Sequence, residues 1–210
     1  MKVSDRTIER LSLYYRYLYI LFQQGTQFIS SKHLASLVGL KPEQVRKDLS
    51  YFGSFGRTGK GYEVVSLQRA IAKILGLEQG RKVAIVGVGN LGMALAGYKG
   101  FEALGFRIVA IFDSSANKIG KKYKGKVCHD IADFKEVSKK EGVEMVILTV
   151  PSEVVQEVAQ SVAAAGIKAI LNFAPVNLNV PKAVKVNNID LASELKRLSY
   201  YAQGNRKDAD

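Results

Sequence analysis

Apolar positions fall into two regimes along the 210-residue chain. Through the first 75 residues they recur at three- and four-residue spacing, the period of a helix face. Ile8, Leu11, Tyr15, Leu18 and Phe22 predict a helix over Thr7–Phe22, capped by Ser4 or Asp5 and ended by Gly25. A short helix, Lys32–Val38, opens at Ser30 or Ser31 and stops at Gly39. Pro42, whose missing N–H is harmless at a first helical position, starts a helix over Pro42–Phe52 that buries Val45, Leu49 and Phe52. The glycine-rich run GSFGRTGKGY at 53–62 predicts a short hairpin, and Leu67, Ala70, Ile71, Ile74 and Leu75 form one face of a helix over Ser66–Leu75.

From Lys82 onward, short β-branched runs alternate with helical patterns. Strands are predicted at Lys82–Val86, Arg107–Phe112, Lys126–His129, Val143–Val150, Lys168–Phe173 and Val184–Asn188. Helices are predicted at Leu91–Leu104, Asp130–Glu141 and Ser152–Ala165, the last with Ser152 as cap and Gly166 as stop. Lys118–Lys126 reads as a solvated lysine-rich loop. Such alternation is the signature of a parallel sheet in an α/β domain. A last helix, Asp190–Ala202 with Asp190 as N-cap, carries Leu191, Leu195, Leu198 and Ala202 on one stripe. It follows a complete sheet, so its apolar face needs a second subunit or the N-terminal domain. The predicted segments are 1–78, 79–188, 189–203 and a disordered tail 204–210.

The first strand runs into Gly87, Val88, Gly89, Asn90, Leu91 and Gly92, a G-x-G-x-x-G run that opens a helix. In that context the first glycine permits a tight turn, the second lets backbone approach a pyrophosphate, and the third lets helix and strand pack closely. The free N–H groups of the helix start face the phosphates. Asp113 closes the next strand 21 residues past Gly92, where a carboxylate accepts from ribose hydroxyls and repels a 2′-phosphate, favouring NAD(H) over NADP(H). Strand ends at 113, 150 and 172 should converge, placing Val150, Pro151, Asn172, Phe173 and Ala174 by the nicotinamide half. An apolar wall of Phe101, Phe106, Val150 and Pro151 would favour the neutral reduced ring over the cationic oxidised one.

Charge adds a second function. The net charge is +12, and Lys41–Tyr62 holds five basic against two acidic residues. Two short helices joined at a glycine, the second basic outward, form a helix-turn-helix pattern. Its outer face carries Lys47 and Ser50, flanked by Gln44, Arg46 and Tyr51. Arg46 and Lys47 suit guanine or phosphate, Gln44 and Ser50 base edges. Arg57 and Lys60 on the glycine hairpin suit phosphates beside a minor groove.

Several classes are disfavoured. One cysteine, Cys128, leaves no intrachain disulfide and fits a reducing cytoplasm. The apolar run Tyr14–Phe22 is too short to span a membrane. Metal-ligand spacing is absent, and neither His33 nor His129 has an evident acid–base partner, so the cofactor site lacks a reaction to perform. Two rivals stand: an NAD-dependent oxidoreductase whose basic N-terminal segment is a dimerisation element, and a CoA-binding module, against which Asp113 argues.

With both halves read, the chain resembles the Rex redox-sensing transcriptional repressors. The matching stretches are QVRKDLSYFG at 44–53, FGRTGKGY at 55–62, VGVGNLG at 86–92, TVP at 149–151, NFAP at 172–175 and NIDLASELKRLSYY at 188–201. Ser54 stands where the family often has an acidic residue, and Lys41 where it has a better cap. The resemblance implies a non-enzymatic, cytoplasmic homodimer: a winged-helix domain, a Rossmann-like parallel-sheet domain binding NAD+/NADH, and a C-terminal helix swapped between subunits. It implies repression through inverted-repeat operator DNA, with NADH causing release and no metal or membrane involved. It also associates Arg16, Tyr98 and Asp190 with the switch, one state pairing Arg16 with Asp190 across the dimer.

Overall fold

The computed structural model describes residues 3–57 and 59–203, with Arg57 described for its backbone alone. Thr58 and the expected tail 204–210 lie outside the described residues. The chain divides into two compact units between Gly80 and Arg81.

The first unit runs α1 (Asp5–Gln23), β1 (Phe28–Ile29), α2 (Ser31–Val38), α3 (Pro42–Ser50), β2 (Gly56–Arg57), β3 (Gly61–Glu63) and α4 (Val64–Leu75). Ser4 caps α1 by accepting from the Thr7 N–H at 3.2 Å, and Ser30 caps α2 through the His33 N–H at 3.1 Å. Gly39 ends α2 and Pro42 opens α3, as the pattern requires. Helix α3 stops at Ser50, earlier than expected, because Phe52 turns back onto the Leu49 carbonyl. Strands β1, β3 and β2 form a three-stranded antiparallel sheet. The two residues of β1 are too few to leave a periodic signal. The core gathers Leu11, Tyr14 and Leu18 of α1, Leu34 of α2, Val45 and Leu49 of α3, and Leu67 and Ile71 of α4. This is a winged helix, with β2 and β3 as the wing.

One charge sits inside that core. Asp48 of α3 is fully buried. Arg10 of α1 grips it with Nε on Oδ2 and Nη2 on Oδ1, both at 2.6 Å. The Tyr14 hydroxyl donates to Oδ2 at 2.8 Å, and Gln44 Nε2 to Oδ1 at 2.9 Å. Burial alone would raise the Asp48 pKa, but these donors and the Arg10 charge outweigh it and hold the carboxyl below its ordinary value. The network clamps α3 to α1.

The second unit runs β4 (Arg81–Val86), α5 (Asn90–Ala96), α6 (Gly100–Ala103), β5 (Phe106–Asp113), β6 (Lys122–Tyr123), β7 (Lys126–Asp130), a 3-10 turn (Ile131–Asp133), α7 (Phe134–Glu141), β8 (Met145–Leu148), α8 (Val155–Ala164), β9 (Ala169–Asn172), β10 (Lys185–Asn188) and α9 (Leu191–Ala202). Its sheet has the order β10-β9-β8-β4-β5-β7-β6, parallel except for the β6–β7 hairpin. The chain works outward from β4 to β7 and then returns to β8 on the other side of β4. That reversal makes the β4/β8 junction the switch point of a Rossmann-like sheet, where such folds open a crevice at the strand ends.

The structure departs from four expectations. The helix predicted over Leu91–Leu104 is broken at Gly97–Lys99 into α5 and α6, since Gly97 and Gly100 fall within one turn and weaken the helix. Ser152 is not a cap: Val154 and Val155 bond back to the Pro151 carbonyl, and α8 begins at Val155. The segment Lys118–Lys126 is not all loop, because Lys122 and Tyr123 pair with β7. Asn172 is fully buried. Its Nδ2 donates to the carbonyls of Ala174 and Val176 and to Asn188 Oδ1, and its Oδ1 accepts from the Ala174 N–H. It therefore fixes the β9 exit rather than facing a ligand.

Asp190 caps α9, accepting from the Ser193 N–H at 3.0 Å and the Ser193 hydroxyl at 2.6 Å. Leu191, Leu195 and Leu198 of α9 are all exposed, an apolar stripe of the sort that marks an interaction surface.

Candidate functional site

At the switch point the glycine turn is built by exclusion. Gly87 has φ +100, and a Cβ there would stand 2.8 Å from the Thr149 carbonyl. A Cβ on Gly92 would fall 1.9 Å from the Gly87 carbonyl oxygen. Thr149 locks the same corner by donating its hydroxyl to the Gly87 carbonyl at 2.7 Å. Gly89 differs: a Cβ on it meets nothing within 4 Å, so its bare backbone borders open space. No side chain caps the start of α5, which leaves its first N–H groups to a ligand.

A cavity of about 720 Å³ opens at this corner, large enough for a nucleotide. Its wall includes Gly87, Gly89, Asp113, Val150, Pro151 and Lys118. Asp113 is buried, and accepts from the N–H groups of Val88 at 2.8 Å and Ser115 at 2.9 Å and from Lys118 Nζ at 2.8 Å. Burial pushes its pKa up, yet the Lys118 ammonium and the two backbone donors hold it below the ordinary carboxylate value. The carboxylate is therefore ionised at neutral pH and poised to accept a hydroxyl. The residues present fit a dinucleotide: a tight turn that excludes a Cβ at 87 and 92, an open space that a Cβ at 89 would enter, and an acid at the ribose distance in sequence.

The predicted residues do not all converge. Gly87, Gly89, Asp113, Val150 and Pro151 meet around the cavity. Val88 is buried with Ile85 and Ile147, while Asn90 and Leu91 are exposed on the first turn of α5. Asn172 and Ala174 lie in the core, and Phe173 packs against the opposite sheet face with Ile85 and Ile147. Phe101 and Phe106, expected in the cavity wall, border a separate apolar cavity of about 340 Å³ with Met145 and Leu171. Phe101 reaches that face from α6, past the break after α5, and Phe106 reaches it from the first position of β5. Sequence reading missed Thr149, Lys118, Ile131, Val154, Glu157 and Val158. Thr149 lay within the TVP motif, and Lys118 five residues past Asp113 was the one usable hint for the others.

On the first unit, Lys47, Ser50 and Tyr51 are exposed around the end of α3, as is Lys60 in the wing. Arg46 is exposed too, held by Glu43 at 2.7 Å and the Ser31 hydroxyl at 2.9 Å. Gln44 is turned from that face, its amide committed to Asp48. The Arg57 side chain lies outside the described residues. Arg16 is exposed on α1, with its guanidinium 5.8 Å from the Tyr17 ring centre. Tyr98 is exposed in the α5–α6 break, edge-on to Phe101. Among the described residues no His/Cys/Asp/Glu group could hold a metal, and no helix is long and apolar enough to cross a membrane.

Two family patterns match: a putative DNA-binding protein N-terminus over residues 2–50, and a CoA binding domain over residues 78–176. The redox-sensing transcriptional repressor Rex of Desulfitobacterium hafniense is 48% identical over 200 residues, covering 95% of both chains. That of Carboxydothermus hydrogenoformans is 45% identical over 199 residues, covering 95% of this chain and 96% of its own. Among solved structures, RSP in complex with beta-NAD+ and operator DNA matches with a TM-score of 0.89 at 37% identity, covering 96% of this chain and 93% of that one. RSP in complex with beta-NADH gives 0.85 at 36%, covering 96% and 95%. A basic winged helix and a Rossmann-like nucleotide site on one chain define a ligand-responsive DNA-binding regulator. The chain belongs to the Rex family of redox-sensing transcriptional repressors.

Proposed function

We propose that this chain represses transcription in the cytoplasm by binding inverted-repeat operator DNA as a homodimer, and that its grip on DNA weakens when its cavity holds NADH. One observation carries the reading: the same chain bears an exposed basic helix, α3, and a glycine-turn cavity that ends on an ionised Asp113. RSP, a Rex-family repressor, is known in complexes with beta-NAD+ and operator DNA and with beta-NADH, and the relatives are named as redox-sensing repressors, not enzymes. Residues 1–78 read the DNA, 79–188 hold NAD+ or NADH, and 189–203 supply the dimer contact through the exposed leucines of α9.

The backbone of Gly87–Gly92 holds the pyrophosphate, Asp113 the adenosine ribose, and Val150 and Pro151 present apolar surface. The coenzyme brings the signal, a neutral reduced or a cationic oxidised ring. Apolar surface at Val150 and Pro151 disfavours an unpaired buried cation, which ties occupancy to the reduced form. In the dimer two α3 helices enter successive major grooves about 34–36 Å apart. Coenzyme alters DNA affinity only through different affinities for two conformations. Reciprocity then fixes a test: if NADH weakens operator binding tenfold, operator DNA must raise the Kd for NADH tenfold, a coupling of about 1.4 kcal/mol. An NADH titration with and without the duplex measures it, and equal Kd values would reject the coupling.

Two substitutions probe the parts. Lys47→Ala should weaken operator binding about tenfold and lower the salt slope by about 1. An unchanged slope in filter binding across salt concentrations would move α3 off the DNA. Asp190 is proposed as a switch residue paired with Arg16 in one state. Because it also caps α9, Asp190→Asn is the informative change: it keeps a capping side chain and removes the charge. NADH sensitivity should fall in gel shifts of this variant, and full sensitivity would reject the pairing.

A further inference from the structure

The acid at the cavity is half of an ion pair. Lys118 Nζ stands 2.8 Å from Asp113 Oδ2, and both side chains line the same cavity. A carboxylate offers about four acceptor positions. Here Oδ2 takes the Val88 N–H and Lys118, and Oδ1 takes the Ser115 N–H. One position remains, too few to bind both hydroxyls of a ribose. Lys118 keeps two of its three donors, and its side chain is 34% exposed against 10% for Asp113.

Its placement is fixed by backbone. The Lys118 N–H bonds the Ser115 carbonyl at 2.9 Å, the Lys118 carbonyl accepts from Lys121, and Gly120 bonds the Cys128 carbonyl of β7 at 2.8 Å. The loop is thus pinned at both ends, and the ammonium is held beside the carboxylate that faces the ribose.

We infer that Lys118 is a coenzyme-specificity residue: its ammonium supplies the second contact to the adenosine ribose and offsets the repulsion Asp113 exerts on a 2′-phosphate. The inference rests on the proposed function, since it takes a nicotinamide dinucleotide to be the ligand. A bare aspartate repels a 2′-phosphate, whereas opposite charges at similar distances cancel to first order. The preference for NADH over NADPH is therefore narrower than Asp113 alone would give, and Lys118 sets how narrow.

The test is a pair of Kd values, for NADH and NADPH, by calorimetry on the full chain, Lys118→Met and Asp113→Asn. Methionine keeps the length of the stem and removes the charge. Lys118→Met should widen the preference for NADH about tenfold, mainly by weakening NADPH. Asp113→Asn leaves the ammonium uncompensated and should shift the ratio toward NADPH by a similar factor. Persistent NADH binding by each variant reports that it is folded. An unchanged ratio in Lys118→Met, or equal weakening of both coenzymes, would overturn the inference by reducing Lys118 to a prop for Asp113. A wild-type chain that binds neither coenzyme would instead remove the proposed function on which the inference stands.

Discussion

Asp48→Ala should lower the melting temperature of the N-terminal unit by about 12 °C or more. The substitution leaves the Arg10 guanidinium and the Tyr14 hydroxyl without the carboxylate that both address. Breaking a buried ion pair from one side costs about 3–5 kcal/mol. The lower figure applies, because Arg10 keeps 21% of its side chain in solvent. For a unit of this size, 1 kcal/mol corresponds to roughly 4–8 °C. Operator affinity should fall with it, since the network is what clamps α3 to α1. The same group gives a pH signature. The folded pKa of Asp48 lies below its unfolded value of about 3.9, so its stabilisation is complete above that value. It is lost as pH falls through the lower, folded value. The variant should lose this acid-limb slope in thermal melts. A variant that melts with the wild type would show that the network contributes nothing net.

The largest effect on the coenzyme site is expected from Gly92→Ala. Its Cβ would lie 1.9 Å from the Gly87 carbonyl oxygen and 2.9 Å from Thr149 Oγ1. Backbone must move, because the nearest atom is backbone, and overpacking of this kind costs about 1–3 kcal/mol. The turn that cradles the pyrophosphate opens, and NADH binding should weaken by about a hundredfold or more. Gly89→Ala is the control with the opposite split. At φ −82 alanine is unstrained, and its Cβ meets nothing within 4 Å. That variant should melt like the wild type yet bind NADH poorly, since the methyl occupies the space the phosphates need. Calorimetry beside thermal melts separates the two. Normal NADH binding by Gly89→Ala would place the phosphates elsewhere.

Most of the architecture was legible because local signals agreed. Ser30, Gly39 and Pro42 punctuate two short helices, and strand periodicity from Lys82 onward predicted the parallel sheet, though not the order of its strands. What failed did so for physical reasons. Glycine pairs break a helix that apolar spacing alone would continue, so α5 and α6 read as one element and carried Phe101 to the wrong face, whereas Phe106 is placed by the start of β5. A proline carbonyl replaced Ser152 as the start of α8. Asp48 carried no sequence signal of its burial, since only tertiary contact with Arg10 and Tyr14 accounts for an acid on a buried helix face. The cavity was half legible: Gly87, Gly89 and Asp113 announce themselves by spacing, whereas Lys118 and Thr149 reach the site through folds of the loop and sheet. Asn172 shows the converse, a strand-end residue whose amide is wholly occupied by the turn that follows it.

Everything functional in this account depends on the nucleotide unit governing the DNA unit. The direct measurement is a gel shift of the full chain on the operator duplex bound by RSP, run with NADH, with NAD+ and with neither. The account predicts a retarded complex with NAD+ or with no coenzyme, and its loss as NADH rises. Binding of equal strength under all three conditions, or no binding at all, would contradict it.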